Sequence, residues 1–96
     1  MNRISLINKE HLLSIINFIN DNSDEFNYFE NMGWNIKNIK SHFSKNNNYS
    51  LGYFKDNNLV GVLIGDTIKN DKEYDLELHI YLYQRMKEEK KLQQNY

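Results

Sequence analysis

The sequence predicts an α+β fold, with one strand, two helices and then three antiparallel strands. Three observations predict it. Apolar residues recur at helical spacing over 9–20 and again over 35–45. Apolar and polar residues alternate over 3–7 and 74–80, as on half-buried strands. Between those regions, an apolar run over 59–67 is set off by AspAsnAsn (56–58) and LysAsnAspLysGlu (69–73), both rich in turn-forming residues.

Each element has a local reason. Arg3–Ile7 places Ile4 and Leu6 on one face of a short strand. Asn8 suits an N-cap, and Lys9–Asn20 carries Leu12, Ile15, Ile16 and Ile19 as an apolar stripe widened by Leu13 and Phe18. The stop at 19–24, IleAsnAspAsnSerAsp, leads into an irregular segment crowded with Phe26, Tyr28, Phe29, Met32 and Trp34. Those aromatics either fill the core or line a substrate groove. Asn35–Lys45 forms a second, shorter helix with Ile36, Ile39 and Phe43 on one face. Tyr49–Lys55 and Leu59–Thr67 pair as a hairpin. LVGVLIG is apolar on both faces and belongs in the sheet centre, with Gly61 and Gly65 marking close backbone approach or a bulge. Tyr74–Ile80 puts Leu76, Leu78 and Ile80 on one side and Glu77 and His79 on the other. No internal repeat or linker divides the chain.

Composition excludes several classes. A net charge of −1 gives no electrostatic drive toward nucleic acid or an anionic membrane. The absence of cysteine removes disulfides, thiol nucleophiles and thiolate metal sites. No apolar run approaches the roughly 20 residues of a membrane span, and the N-terminus has no secretory-signal pattern, so a cytoplasmic location is expected. His11, His42 and His79 lie far apart in sequence, which predicts no metal centre and makes His11 and His42 surface helix residues. Glu77, beside His79 on the last strand, is either a general base turned inward or a residue of a solvated sheet face. The tail from Tyr83, YQRMKEEKKLQQNY, is polar almost throughout, with Met86 and Leu92 its only aliphatic residues, and suits a solvated segment or a frayed helix.

The order strand, two helices, hairpin and further strand resembles the beginning of the GNAT N-acetyltransferases, most closely the ribosomal-protein alanine N-acetyltransferases. Trp34 stands before the second helix and Phe43 near its end. Tyr49–Gly52, Leu59-Val60-Gly61-Val62-Leu63-Ile64-Gly65 and Leu76-Glu77-Leu78-His79-Ile80 follow as the family's successive strands. The likeness covers about residues 2–80, giving a partial GNAT domain over 1–80 and a polar tail outside the family pattern over 81–96. It implies acetyl transfer from acetyl-CoA to a primary amine, perhaps a protein N-terminus. It also implies that Leu78, His79 and Ile80 run along the acetyl-pantetheine arm, with a strand N–H for the developing oxyanion. Glu77 would be the base, and Phe29 and Trp34 would border the acceptor groove.

The family's next part, a Gln/Arg-x-x-Gly-x-Gly/Ala loop opening a helix, holds the cofactor pyrophosphate. After Ile80 this chain has no glycine. Back-translated with A or T wobble bases and read one frame over, 81–96 gives Arg-Arg-Lys-Lys-Ile-Ala, which resembles that loop. The resemblance therefore implies a coding frame shifted near Ile80 or Tyr81, a truncated domain and impaired cofactor binding; an intact gene without a shifted remainder downstream would refute this. It also implies an open last-strand edge prone to self-association. The alternative is a small non-catalytic module that binds a protein through its aromatic segment and open sheet edge.

Overall fold

The computed structural model describes residues 2–84. A four-stranded antiparallel sheet runs in the order β1-β2-β3-β4, with β1 (Asn2–Ile7), β2 (Ser50–Lys55), β3 (Asn58–Asn70) and β4 (Glu73–Tyr83). Three helices, α1 (Leu12–Asp21), α2 (Ser23–Glu30) and α3 (Ile36–His42), cover one face of it. The expected α+β class and strand order hold, and β3 is internal as its two-sided apolar pattern requires.

Local chemistry sets the joints. Asn8 caps a single 3-10 turn (Lys9–His11) by accepting from the Glu10 N–H at 2.8 Å, and α1 starts one turn later than the periodicity suggests. The β2–β3 turn places Asp56 and Asn57 at positive φ, 51° and 71°, as a two-residue hairpin between twisted strands demands. Asn35 caps α3 by accepting from the Asn38 N–H at 2.8 Å.

The segment expected to be irregular between Phe26 and Trp34 is largely helical. Asn22 ends α1, its side chain donating to the Phe18 carbonyl at 2.8 Å, while its own carbonyl accepts the first bond of α2 from the Phe26 N–H. Asp24 and Glu25 then sit in the first turn, where a helix N-terminus favours acids. Phe26 and Phe29, three apart, turn into the core together.

The core lies between helices and sheet: Ile15, Phe18 and Ile19 from α1, Ile39 from α3 with Phe43 at its C-cap, and Val62 and Ile64 from β3 with Ile80 and Leu82 from β4. In β4 the alternation breaks. Ile64 pairs with Ile80 but Gly65 pairs with Leu78, so His79 is a bulge with no partner across the ladder. The bulge turns Ile80 to the helix-covered face together with His79. It leaves Leu76 and Leu78 on the opposite face, which corrects the single-sided grouping expected for Leu76, Leu78 and Ile80. β4 continues to Tyr83, three residues beyond the family-like stretch; 85–96, the rest of the expected tail, lies outside the described residues.

The sheet's other face carries Ile4, Leu6, Leu51, Tyr53, Leu63, Leu76, Leu78, Tyr81 and Tyr83, and among the described residues the Phe29 ring of α2 meets it edge to face at Tyr81. Ile4 is 66% exposed and Tyr81 68%.

Candidate functional site

A polar cluster sits where the bulge interrupts the β3–β4 ladder. Gly65 makes the bulge possible, because a Cβ there would lie 2.6 Å from the Glu77 carbonyl oxygen and 3.3 Å from that of Tyr49. Beyond Gly65, Asp66 points to the helix-covered side, and the bulge aims His79 at it. His79 Nε2 lies 2.9 Å from Asp66 Oδ2.

His42 reaches the same carboxylate from the last turn of α3. Its Nε2 donates to the Gly65 carbonyl at 2.9 Å, and its Nδ1 stands 3.2 Å from Asp66 Oδ1. A carbonyl only accepts, so Nε2 carries a hydrogen. Nδ1 and Oδ1 are fully buried and lack hydrogen-bond alignment with any partner. Asp66 thus stands between two histidines, hydrogen-bonded to His79 and in close approach to His42. His42 is 1% exposed, which corrects the expectation of a surface helix residue. Placed three residues after the core residue Ile39, it shares that residue's inward face.

Trp34 closes the cluster. The turn after α2 passes through Gly33 at φ 103°, and the Trp34 N–H returns to the Phe29 carbonyl at 3.0 Å. This sets the indole against both imidazoles, with ring centroids 5.9 Å from His42 and 5.1 Å from His79. The two imidazoles meet edge to face at 5.9 Å. Behind them, the Gly65 carbonyl also accepts from the Tyr49 N–H at 2.8 Å, and the Thr67 N–H donates to the Asn47 carbonyl at 2.8 Å, so the loop before β2 is tied to the same strand.

The residues singled out from the sequence fall as follows. Glu77 is half exposed, its Oε1 3.9 Å from His79 Nδ1, on the solvent side of the cluster. His79 is at the cluster's centre, and Trp34 packs against it. Ile80 is wholly buried beneath the helices, whereas Leu78 lies on the open face. Phe29 is 6% exposed, in the core, with its ring edge-on to Tyr28 and Tyr81. Sequence reasoning missed Asp66 and His42. The available signals were an acid directly after an apolar strand and glycine, and a histidine in phase with a buried isoleucine.

No protein-family model matches the chain, and no curated protein does. Two solved structures do. One is a probable acetyltransferase from Staphylococcus epidermidis, with TM-score 0.63 and 19% identity, matched over 97% of this chain and 60% of that one. The other is a possible acetyltransferase from Clostridium difficile, with TM-score 0.67 and 15% identity, matched over 100% of this chain and 68% of that one. The chain therefore has the fold of the acetyltransferase structures and spans about three-fifths to two-thirds of their length. Among the described residues, no helix is long and apolar enough to cross a membrane.

Proposed function

We propose that this chain carries the strand-and-acceptor part of a GNAT N-acetyltransferase, transferring acetyl from acetyl-CoA to a primary amine, with His79 rather than Glu77 as the base. The single observation behind the choice of base is the β4 bulge, which turns His79 onto Asp66.

The fit to acetyl-CoA is partial. His79 and Ile80 run through the bulge, where the broken ladder opens strand backbone to an acyl arm. Nothing among the described residues forms a cradle for the diphosphate. Acetyl-CoA, when bound, supplies an activated thioester. The chain's own residues do the rest. Asp66 accepts the Nε2–H of His79 and fixes its tautomer. That leaves Nδ1, on the Glu77 side, to take the proton of the incoming ammonium. Asp66 and Glu77 then stabilise the imidazolium. Trp34 excludes water from one side of the ring and forms a flat wall beside the acceptor. A protein N-terminus remains one candidate amine.

Without the diphosphate contacts the chain loses several charge-assisted hydrogen bonds at about 1.5–3 kcal/mol each, so cofactor affinity falls by orders of magnitude. Isothermal titration of the 96-residue chain with acetyl-CoA is expected to show no micromolar binding. At millimolar acetyl-CoA, amine-dependent release of free CoA thiol is expected to persist slowly. His79→Gln should reduce it about 100-fold or more, the usual worth of general-base catalysis, while Glu77→Gln should cost far less. Equal rates for wild type and His79→Gln would remove His79 from the role.

A further inference from the structure

We infer that His42 is a positioning residue for the proposed base: it braces the Gly65–Asp66 step so that the Asp66 carboxylate faces His79. The inference rests on the reading of His79 as the base. His42 ends α3 as a buried polar ring that the proposed chemistry does not otherwise use. Its partners lie between Trp34 and His79, inside the described residues.

The two nitrogens of His42 meet two consecutive residues of β3. Nε2 donates to the Gly65 carbonyl at 2.9 Å, and Nδ1 stands 3.2 Å from Asp66 Oδ1. The Gly65 carbonyl and the Asp66 nitrogen belong to one planar peptide unit. A donor that holds that carbonyl therefore also sets the direction in which Asp66 leaves the strand. Gly65 needs such holding, because it has the widest backbone freedom and sits where the β3–β4 register shifts. The Tyr49 N–H holds the same carbonyl at 2.8 Å, and the Gly65 N–H reaches Ser50 Oγ at 3.4 Å.

The carboxylate itself is divided between the two imidazoles. Oδ1 is fully buried against the His42 ring and has no hydrogen-bond partner. Oδ2 is left for His79, whose Nε2 lies 2.9 Å away. A buried acceptor without a partner is uncommon in a folded protein and calls for a reason. Here the reason is direction: one oxygen is shut in so that the other is aimed at His79. The His42 ring also meets the His79 ring edge to face, at 5.9 Å between centroids, and so limits how far that ring can turn.

The test reads the His79 ring by nitrogen-15 NMR in the 96-residue chain, alongside release of CoA thiol at millimolar acetyl-CoA. The wild type is expected to hold His79 as the Nε2–H tautomer. His42→Phe keeps the packing on Trp34 and removes both nitrogens, and His79 is then expected to divide between its two tautomers. His42→Gln, whose amide nitrogen can reach the Gly65 carbonyl, is expected to restore the Nε2–H form. The rate should fall about tenfold in His42→Phe with the KM for the amine unchanged, as for a misplaced catalytic group. Adding His42→Phe to His79→Gln should cost nothing more, because the group it positions is gone. Circular dichroism checks each fold. If His42→Phe does not fold, His42→Asn, too short to reach the Gly65 carbonyl, takes its place in both measurements. A folded variant that keeps the wild-type tautomer and rate beside a slow His79→Gln overturns this inference alone. So does a loss of the same size with and without His79, which would make His42 a support of the fold only. A His79→Gln variant as fast as the wild type overturns the base reading and this inference with it.

Discussion

The two faces of the sheet are apolar to a similar degree and differ in what meets them. On one, Val62, Ile64, Ile80 and Leu82 are buried under helices; on the other, Leu63, Tyr81 and Tyr83, their immediate neighbours in sequence, stand exposed. Ile64 and Leu63 differ by one residue, and the strand's two-residue period sends one to each face. A sheet apolar on both faces is built to be covered on both. The covered face spends part of its interior on a polar device, the Asp66 bridge between His42 and His79. The open face carries no such device in its central rows.

Substitutions across this pair of faces should separate them by size. Ile64→Ala is expected to have the largest effect. It empties a fully buried site and should cost about 3 kcal/mol, lowering the melting temperature by roughly 12–24 °C in a domain of this size. Calorimetry or a circular-dichroism melt reads it. Gly65→Ala comes next. Its Cβ would press on the Glu77 carbonyl, so the bulge must shift, at about 1–3 kcal/mol, and His79 should lose its alignment with Asp66. A downfield-shifted Nε2 proton of His79 in the wild-type NMR spectrum should disappear in that variant. Leu63→Ala should be smallest, within about 0.5 kcal/mol, because the side chain is already partly exposed. If Leu63→Ala destabilised the monomer as much as Ile64→Ala, the contrast between the faces would collapse.

How much of this was legible in the sequence depended on whether periodicity was enough. β1, α1, α3 and the β2–β3 hairpin follow from period and turn chemistry alone. α2 was hidden because Asn22, Ser23 and Asp24 look like a loop, although the same residues also suit a helix start once Phe26 and Phe29 are seen to share a face. The bulge defeated strict alternation on β4. Gly65 hinted at a close approach, but which strand absorbed the extra residue was a matter of pairing, and pairing is not local. The site was legible only in pieces. His79 and Trp34 were marked from the resemblance, Glu77 was preferred as base because it is the acid beside His79, and Asp66 and His42 emerged only when β3 and α3 met. The sequence pointed to an open edge on the last strand; the exposed apolar face of the sheet is a separate surface that it did not mark.

The central claim, that one apolar face is closed by the chain's own helices while the described residues leave the other open, is most directly tested by methyl NMR with a soluble paramagnetic agent. In the dilute chain, methyl signals of Ile4, Leu6 and Leu63 should broaden strongly while those of Ile15, Ile64 and Ile80 stay sharp. Open-face methyls as sharp as those of Ile15, Ile64 and Ile80 would contradict the account.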